Sequence, residues 1–307
     1  KPSQITPENC TEFAHVVEES GLPAGVINIV TGRGSVIGNE MAGSPKVDIV
    51  SVTGSVSAGE SIMKAAANNI TKVSLELGGK APAIVFPDAD LEASAQWILD
   101  SRIGNNGQIC NNAERVYVHK DIKKEFTDIL LRKFEAVKVG DPCKDHTVDM
   151  GPLVEKRALE SVEAKVENAI KQGAKVLCGG HRVGDKGYFY AATLLDNCTQ
   201  DMDIIHEETF GPVLPIVEFE DTDQVIAWAN DVEYGLASSV FTKDIDTAAK
   251  VTRGLEFGET YINREHFEAM QGFHAGVKKS GIGGADGKHG VEEYLVTHVT
   301  YLDTHYE

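Results

Sequence analysis

A chain of 307 residues, with 42% hydrophobic and 25% charged side chains, has ordinary globular composition and length for about two domains, each with its own core. Its 47 acidic side chains against 29 Lys and Arg give a formal charge of −18. That balance excludes nucleic acid and anionic membrane surfaces as partners, since both need clustered cations, and it favours a small neutral substrate over an anionic one.

Along the chain, helix and strand patterns alternate as in a parallel α/β sheet. Pro7 to Glu19 has helical periodicity and ends at Gly21, and Val26 to Val30 predicts a short buried strand. Gly32-Arg33-Gly34 leads through Ser35 into a helix reaching Ala42. Val47 to Val52 predicts a strand, Thr53-Gly54-Ser55 a turn, Val56 to Asn68 a helix, and Lys72 to Leu75 a strand that delivers Glu76. Gly78-Gly79 is a natural hinge and is placed as the domain boundary. A second alternating set follows: strand 83–86, helix 91–102, the Cys110 loop, strand 115–118 and helix 121–135, then helix 155–172 and strands 174–178 and 213–218. Helix 221–230, strand 237–241, helix 244–253 and strand 259–262 complete it. Arg264 to Gly290 is rich in Gly and His without periodicity and predicts a long functional loop region. Tyr294 to Tyr301 alternates β-branched and aromatic residues like an edge strand.

Five cysteines, at 10, 110, 143, 178 and 198, include no CxxC pair and have no His-rich companions, so neither a disulfide scaffold nor a metal site is expected. A reducing, cytoplasmic setting fits them. No apolar run approaches the ~18 residues of a membrane span, and no signal peptide is visible.

One pair of residues carries chemistry. Glu76 lies in Leu75-Glu76-Leu77-Gly78-Gly79-Lys80, and Cys110 in Gly107-Gln108-Ile109-Cys110-Asn111. A thiolate is a strong nucleophile, and a separate carboxylate can activate water to release an acyl group from it. In isolation Cys110 reads more readily as a small buried hydrophobe and Glu76 as a solvated strand end. Gln108, Asn111 and Asn112 leave Cys110 no apolar face of its own to pack on. Gly32 to Gly38 has GxGxxxG spacing between a strand and a helix, and Thr53-Gly54-Ser55 opens a second helix on the same sheet edge; either a nucleotide site or plain turn chemistry satisfies both. Glu207 to Pro212 reads as a capped turn or a binding segment, and Glu268 and His274 by composition as solvated loop residues.

Taken in order, Lys1-Pro2-Ser3, Thr53-Gly54-Ser55, Glu76 to Lys80, Gly107 to Cys110, Glu208-Thr209-Phe210-Gly211-Pro212 and Lys278-Lys279-Ser280-Gly281 resemble the aldehyde dehydrogenase superfamily over the whole chain. Asn263-Arg264-Glu265 through His274-Ala275-Gly276 is most similar to its lactaldehyde (glycolaldehyde) branch. The resemblance implies an α/β fold: a partial Rossmann-type NAD domain over 1–78, a catalytic domain over 79–290, and an oligomerisation strand and tail over 291–307. It implies a homo-oligomer, dimer or tetramer, and NAD-linked oxidation of a small hydroxyaldehyde to its acid. Cys110 would attack the aldehyde and Glu76 would deprotonate the hydrolytic water. Lys1 and Gln4 would bind the adenosine ribose, Ser55 the pyrophosphate, and Glu208 with Phe210 the nicotinamide ribose; Ser3, Gly34 and Leu77 complete the cofactor set. Asn111, Glu268 and His274 would contact the substrate.

Gln4 stands where NAD-selective members usually carry Glu. An amide does not repel a 2′-phosphate, so NADP is a possible cofactor beside NAD. The segment that in the family precedes Lys1 supplies an oxyanion Asn and the first strands, so the 307-residue chain alone is expected to have little or no activity. The alternatives are another aldehyde specificity, such as succinic semialdehyde, or an inactive fragment serving as an interaction domain. The acidic Glu268 disfavours the carboxylated substrate.

Overall fold

The computed structural model describes residues 1–264 and 266–304. Its first part runs through α1 (Glu8–Glu19), a π-helical turn (Gly34–Gly38), α2 (Asn39–Ala42), β1 (Ile49–Thr53), α3 (Val56–Ala66) and β2 (Lys72–Glu76). Strands β1 and β2 pair in parallel with α3 as the crossover, and the Ser55 hydroxyl caps α3 by accepting a hydrogen bond from the Ala58 N–H at 3.3 Å. Leu75 and Leu77 bury against Ile62, Val50 and Ala42 to make a small core of their own.

The chain then crosses into a larger unit: β3 (Ala81–Val85), α4 (Leu91–Ile103), β4 (Ala113–His119), α5 (Lys123–Glu135), α6 (Lys156–Gln172), β5 (Lys175–Cys178), β6 (Thr193–Cys198) and α7 (Asp203–His206). It continues through β7 (Val213–Phe219), α8 (Thr222–Asn230), β8 (Tyr234–Gly235), β9 (Ala237–Phe241), α9 (Ile245–Gly254) and β10 (Glu259–Ile262). Last come β11 (Val277–Lys278), β12 (Gly281–Ile282) and α10 (Gly287–Glu292). Among the described residues the main sheet has the order β10-β9-β3-β4-β7-β6-β5, parallel throughout except for β5. Helices cover both faces. Ile84, Tyr117 and Val217 bury toward α6 on one side, while Ala83, Val85, Val116 and Val118 bury toward α4 and α5 on the other. Burial on both faces explains why these strands read as unbroken apolar runs rather than alternating ones.

The architecture is α/β, as expected. β12 returns late in the chain to pair antiparallel with β2, so the sheet that begins before Gly78 is completed by residues 281–282.

Several local expectations are corrected. Val26 to Val30 forms no strand, and Val26, Ile27 and Val30 are exposed, because no described segment offers this run a ladder partner. Tyr294 to Tyr301 is likewise exposed and, among the described residues, unpaired with any strand; residues 305–307 of the expected tail lie outside the described residues, as does Glu265. Strand β6 escaped notice because Asp196 and Asn197 interrupt its apolar run; Asn197 sits at φ 56°, where the register with β7 shifts. The region 264–290 is mostly loop but holds β11, β12 and the start of α10.

Candidate active site

The sheet order decides where the motifs meet. Five strand beginnings, adjacent in the main sheet, face one place: β10 at Glu259, β9 after Leu236, β3 after Lys80, β4 after Asn112 and β7 after Pro212. The C-terminal end of β2 brings Glu76 to the same place from the other sheet. Gly78 and Gly79 make the crossing. A Cβ on Gly79 would lie 2.2 Å from the Cys110 carbonyl oxygen, and one on Gly78 would lie 2.8 Å from Glu208 Oε2. The Gly79 N–H donates to Glu208 Oε1 at 2.9 Å. These two glycines are therefore a flat floor between the Cys110 loop and Glu208. Ser280 ties the floor down: its hydroxyl donates to the Gly78 carbonyl at 2.7 Å, and its own carbonyl accepts from Leu77 N–H at 2.8 Å.

The Cys110 loop leaves α4 through Asn105 and Asn106, both left-handed (φ 46° and 59°), and Gly107 (φ 73°). Cys110 is half-buried and packs against Ala81, Leu236, Ala237 and Tyr261. Its sequence neighbours are polar, but β3, β9 and β10 supply the apolar face that the local sequence lacked.

The charged groups around Cys110 form one linked set. His274 places Nδ1 3.1 Å from Glu259 Oε2 and Nε2 3.5 Å from Glu76 Oε2. The neighbouring Cys110 and Glu259 side chains, together with the charge of Glu76, push His274 up to about 11 against the effect of burial. Burial raises Glu76 to about 7 against the opposing charge of His274. A carboxylate with that pKa is poised as a general base near neutrality. Asn111 donates to Glu268 Oε2 at 2.8 Å, and the Tyr261 hydroxyl donates to the same Glu259 Oε2 at 2.8 Å. Cys110, Glu76, Asn111, Glu268 and His274 are thus brought together, and Glu259 and Tyr261 join them without having been singled out in the sequence.

A second constellation went unnoticed there. Glu114 is fully buried and accepts from Lys80 Nζ at 2.7 Å, Arg102 Nη1 at 2.8 Å, Thr209 N–H at 3.0 Å and Phe210 N–H at 3.2 Å. Arg102 also donates to the carbonyls of Gly107 (2.7 Å) and Ala113 (2.8 Å), on either side of Cys110. Burial alone would raise Glu114, but Arg102 and Lys80 overcome it and hold the carboxyl down at about 2. Burial lowers Lys80 to about 8. The available signal was the charge itself: Lys80, Arg102 and Glu114 interrupt segments that are otherwise buried on all sides.

The residues expected to hold a cofactor divide between two places. Glu208 is raised to about 7 by burial and by the nearby Glu114 charge, and Phe210 follows it at φ 49°, partly exposed. Ser55 caps α3. Ser3 and Gln4 line a cleft of about 350 Å³ with Thr31, Gly32 and Arg33, immediately before Gly34 in the chain. Lys1 is exposed and donates to the Pro2 carbonyl. The Leu77 side chain points into the small core, where a Cβ on Gly59 would meet it at 2.6 Å, so only its backbone faces outward chemistry.

Comparison with known proteins follows the same lines. The aldehyde dehydrogenase family profile matches residues 1–300. Lactaldehyde dehydrogenase of Escherichia coli is 58% identical over 304 residues, covering 99% of this chain and 64% of its own length. Its crystal structure superposes with a TM-score of 0.97 over 98% of this chain and 63% of that one. 3,6-Anhydro-alpha-L-galactose dehydrogenase of Vibrio is 46% identical, covering 99% of this chain and 64% of that protein. Betaine aldehyde dehydrogenase of Staphylococcus aureus, solved in complex with NAD+, is 40% identical with a TM-score of 0.92, covering 96% of this chain and 59% of that one. The chain thus spans somewhat under two thirds of the length of the relatives it matches.

Proposed function

The chain belongs to the aldehyde dehydrogenase family, and on that premise we propose that the protein carrying it oxidises a small, uncharged hydroxyaldehyde such as lactaldehyde or glycolaldehyde to the acid, with NAD as cofactor and NADP accepted. The observation that carries this reading is the convergence of Cys110 with Glu76, His274, Asn111 and Glu268 at one junction of two sheets. It combines a nucleophile, a carboxylate titrating at about 7, and hydrogen-bonding groups suited to a substrate hydroxyl.

Cys110 sulfur attacks the aldehyde carbon, and the carbonyl oxygen becomes an oxyanion to which the Cys110 N–H is one donor. A bound nicotinamide supplies the hydride acceptor that converts the thiohemiacetal to a thioester. Glu76 then takes a proton from water as that water attacks the thioester carbon, and the Cys110 thiolate departs from the acid. The chain's residues fit a dinucleotide. Gly34 has nothing within 4 Å of the position a Cβ would take, leaving its backbone open to a phosphate. Ser55 opens α3 on the same sheet, and Glu208 is fixed by the Gly79 N–H with its second oxygen left for a ribose hydroxyl. Gln4 beside Thr31 and Arg33 has no charge with which to reject a 2′-phosphate. The exposed Leu295, Val296, Val299 and Tyr301 suit an edge strand that pairs with a second subunit in a dimer or tetramer.

The test is NAD(P)H formation with lactaldehyde, glycolaldehyde and succinic semialdehyde, with Cys110→Ala as control. Oxidation of the hydroxyaldehydes, lost in the variant, is expected. Turnover confined to the carboxylated substrate, or turnover surviving Cys110→Ala, refutes the reading.

A further inference from the structure

We propose that His274 acts as a fixed positive charge that lets the buried Glu76 ionise, and that Glu259 keeps the imidazole charged. The proposal rests on Glu76 being the water-activating base and gives it two positioning residues, His274 and Glu259, which act through its charge.

The Glu76 carboxylate sits in a poor place for charge. Both its oxygens are buried, and among the described residues neither has a hydrogen-bond partner. Its backbone is held on both sides, by Thr53 of β1 and Gly281 of β12. A carboxyl buried without hydrogen bonds favours its neutral form. What opposes this is His274, whose Nε2 lies 3.5 Å from Glu76 Oε2 and which is, among the described residues, the one cationic side chain within 4 Å of Glu76. The attraction is one of charge and needs no hydrogen-bond alignment. Glu259, the first residue of β10, stands on the other side of the ring with Oε2 3.1 Å from Nδ1, and that oxygen is fixed by the Tyr261 hydroxyl at 2.8 Å. The His274 backbone is clamped in turn: its N–H donates to the Ala285 carbonyl at 2.9 Å, and its carbonyl accepts from the Ala285 N–H at 2.8 Å. The side chains of Glu76, His274 and Glu259 retain only 11%, 11% and 15% of their exposure, so solvent screens these charges little.

The signs of the neighbouring groups explain why one cation matters so much. Glu259 from β10, Glu268 from the loop after it and Asp286 from the turn before α10 are all carboxylates, and with burial they push Glu76 toward its neutral form. His274 is the one of these neighbours that pulls the other way, and the balance leaves Glu76 at about 7. Cys110 and Tyr261, packed together at the same junction, are the remaining titratable groups. Held at about 11, the imidazole keeps its proton across the neutral range, so it acts as a charge and transfers no proton itself. A positive charge lowers a carboxyl pKa and its removal raises it. Without the imidazolium every remaining influence favours protonated Glu76, which cannot take a proton from water until the solution is more alkaline.

The experiment is an infrared pH titration of the full-length protein, without cofactor or aldehyde, in which the protonated carboxyl band of Glu76 is isolated by subtracting the spectra of Glu76→Gln. It needs no turnover, so it is independent of substrate identity and of the dehydrogenase assay. The wild-type midpoint is expected at about 7. His274→Asn moves it upward by about one unit or more, while His274→Lys, which restores a cation, leaves it at or below the wild-type value. Histidine-selective ¹⁵N labelling, with His274→Asn as the assignment control, follows the ring itself: it is an imidazolium in mildly alkaline solution, and Glu259→Gln lowers its midpoint by about one unit or more. An unmoved Glu76 midpoint in His274→Asn with native circular dichroism overturns the proposal. So does an upward shift in His274→Lys equal to that in His274→Asn, which would make the role one of shape. An unmoved ring midpoint in Glu259→Gln overturns the part given to Glu259. If His274→Asn fails to fold, the ring decides alone, with the wild-type histidine signals assigned by His274→Lys: a neutral His274 in mildly alkaline wild-type protein overturns the proposal. A wild-type Glu76 band with no midpoint near neutrality would instead remove the base reading beneath it.

Discussion

Replacing Gly79 by Ala tests whether the floor beneath the nucleophile is as rigid as its geometry implies. The new methyl would sit 2.2 Å from the Cys110 carbonyl oxygen, with Leu236 Cβ at 3.6 Å closing another side. Ordinary contact needs about 3.5 Å, so the start of β3 and the Cys110 loop must separate by roughly 1 Å. Overpacking of this kind costs about 1–3 kcal/mol of stability. A displacement of that size at a reacting atom costs on the order of a hundredfold in rate. The same shift pulls the Gly79 N–H away from Glu208, so the cofactor KM should rise alongside the fall in kcat. The assay is kcat and both KM values with glycolaldehyde, together with thermal unfolding, against Gly151→Ala as control. In that control the nearest atom to the added methyl is Pro142 Cδ at an ordinary 3.6 Å. A Gly79→Ala enzyme with kcat/KM within about threefold of wild type and an unchanged melting temperature would refute the reasoning.

Three further outcomes follow from the same geometry. With Glu76 titrating at about 7, the deacylation rate should fall roughly tenfold per unit as pH drops below that value, and Glu76→Gln should give a burst of NADH followed by a stall; a flat profile down to pH 5 counts against Glu76 as base. Glu114→Gln leaves Lys80 and Arg102 buried without a counter-charge and should cost about 3–5 kcal/mol in urea unfolding; a loss under about 1 kcal/mol contradicts the network. Because the folded Glu114 pKa is depressed from 4.5 to about 2, its contribution is fully present above pH 4.5 and disappears as pH falls through 2, so the variant and wild type should converge in acid. Glu268→Gln should raise the KM for lactaldehyde by about tenfold while leaving propionaldehyde nearly unchanged; an equal effect on both would separate Glu268 from the substrate hydroxyl.

What the sequence revealed and what it concealed divide on a physical line. Strands β3, β4, β7, β9 and β10 were legible because each is a short stretch rich in apolar, β-branched or aromatic residues between turn signals, and Glu76 and Cys110 were legible because each sits in a short motif whose spacing is local. Glu259 and Glu114 were not. Each is a single carboxylate within a strand, and what gives it meaning is a neighbour 15, 34 or more positions away that only the sheet order brings near. The apolar face beneath Cys110 was misread for the same reason: its walls come from other strands, while its own neighbours are polar. Val26 to Val30 shows the converse error. A run of β-branched residues is sufficient for strand propensity but not for a strand, which needs a ladder partner as well.

The sheet order also explains why several short motifs act as one site. Lys80, Glu114 and the Thr209-Phe210 backbone stand at the starts of β3, β4 and β7, three consecutive neighbours, so one buried carboxylate reaches all of them. Arg102 extends that link to both flanks of Cys110. The nucleophile loop and the Glu208–Phe210 segment are therefore not adjusted independently: moving either strains the hydrogen bonds of the other through Glu114. A buried ionic network is a poor source of net stability compared with apolar packing of the same volume, but it fixes direction and distance where apolar contacts would slide. That suits the proposed chemistry, in which Cys110 and a nicotinamide that Glu208 and Phe210 would hold act on the same substrate carbon. It accounts for charge being placed in the core beneath a site whose residues stand on strand ends and loops.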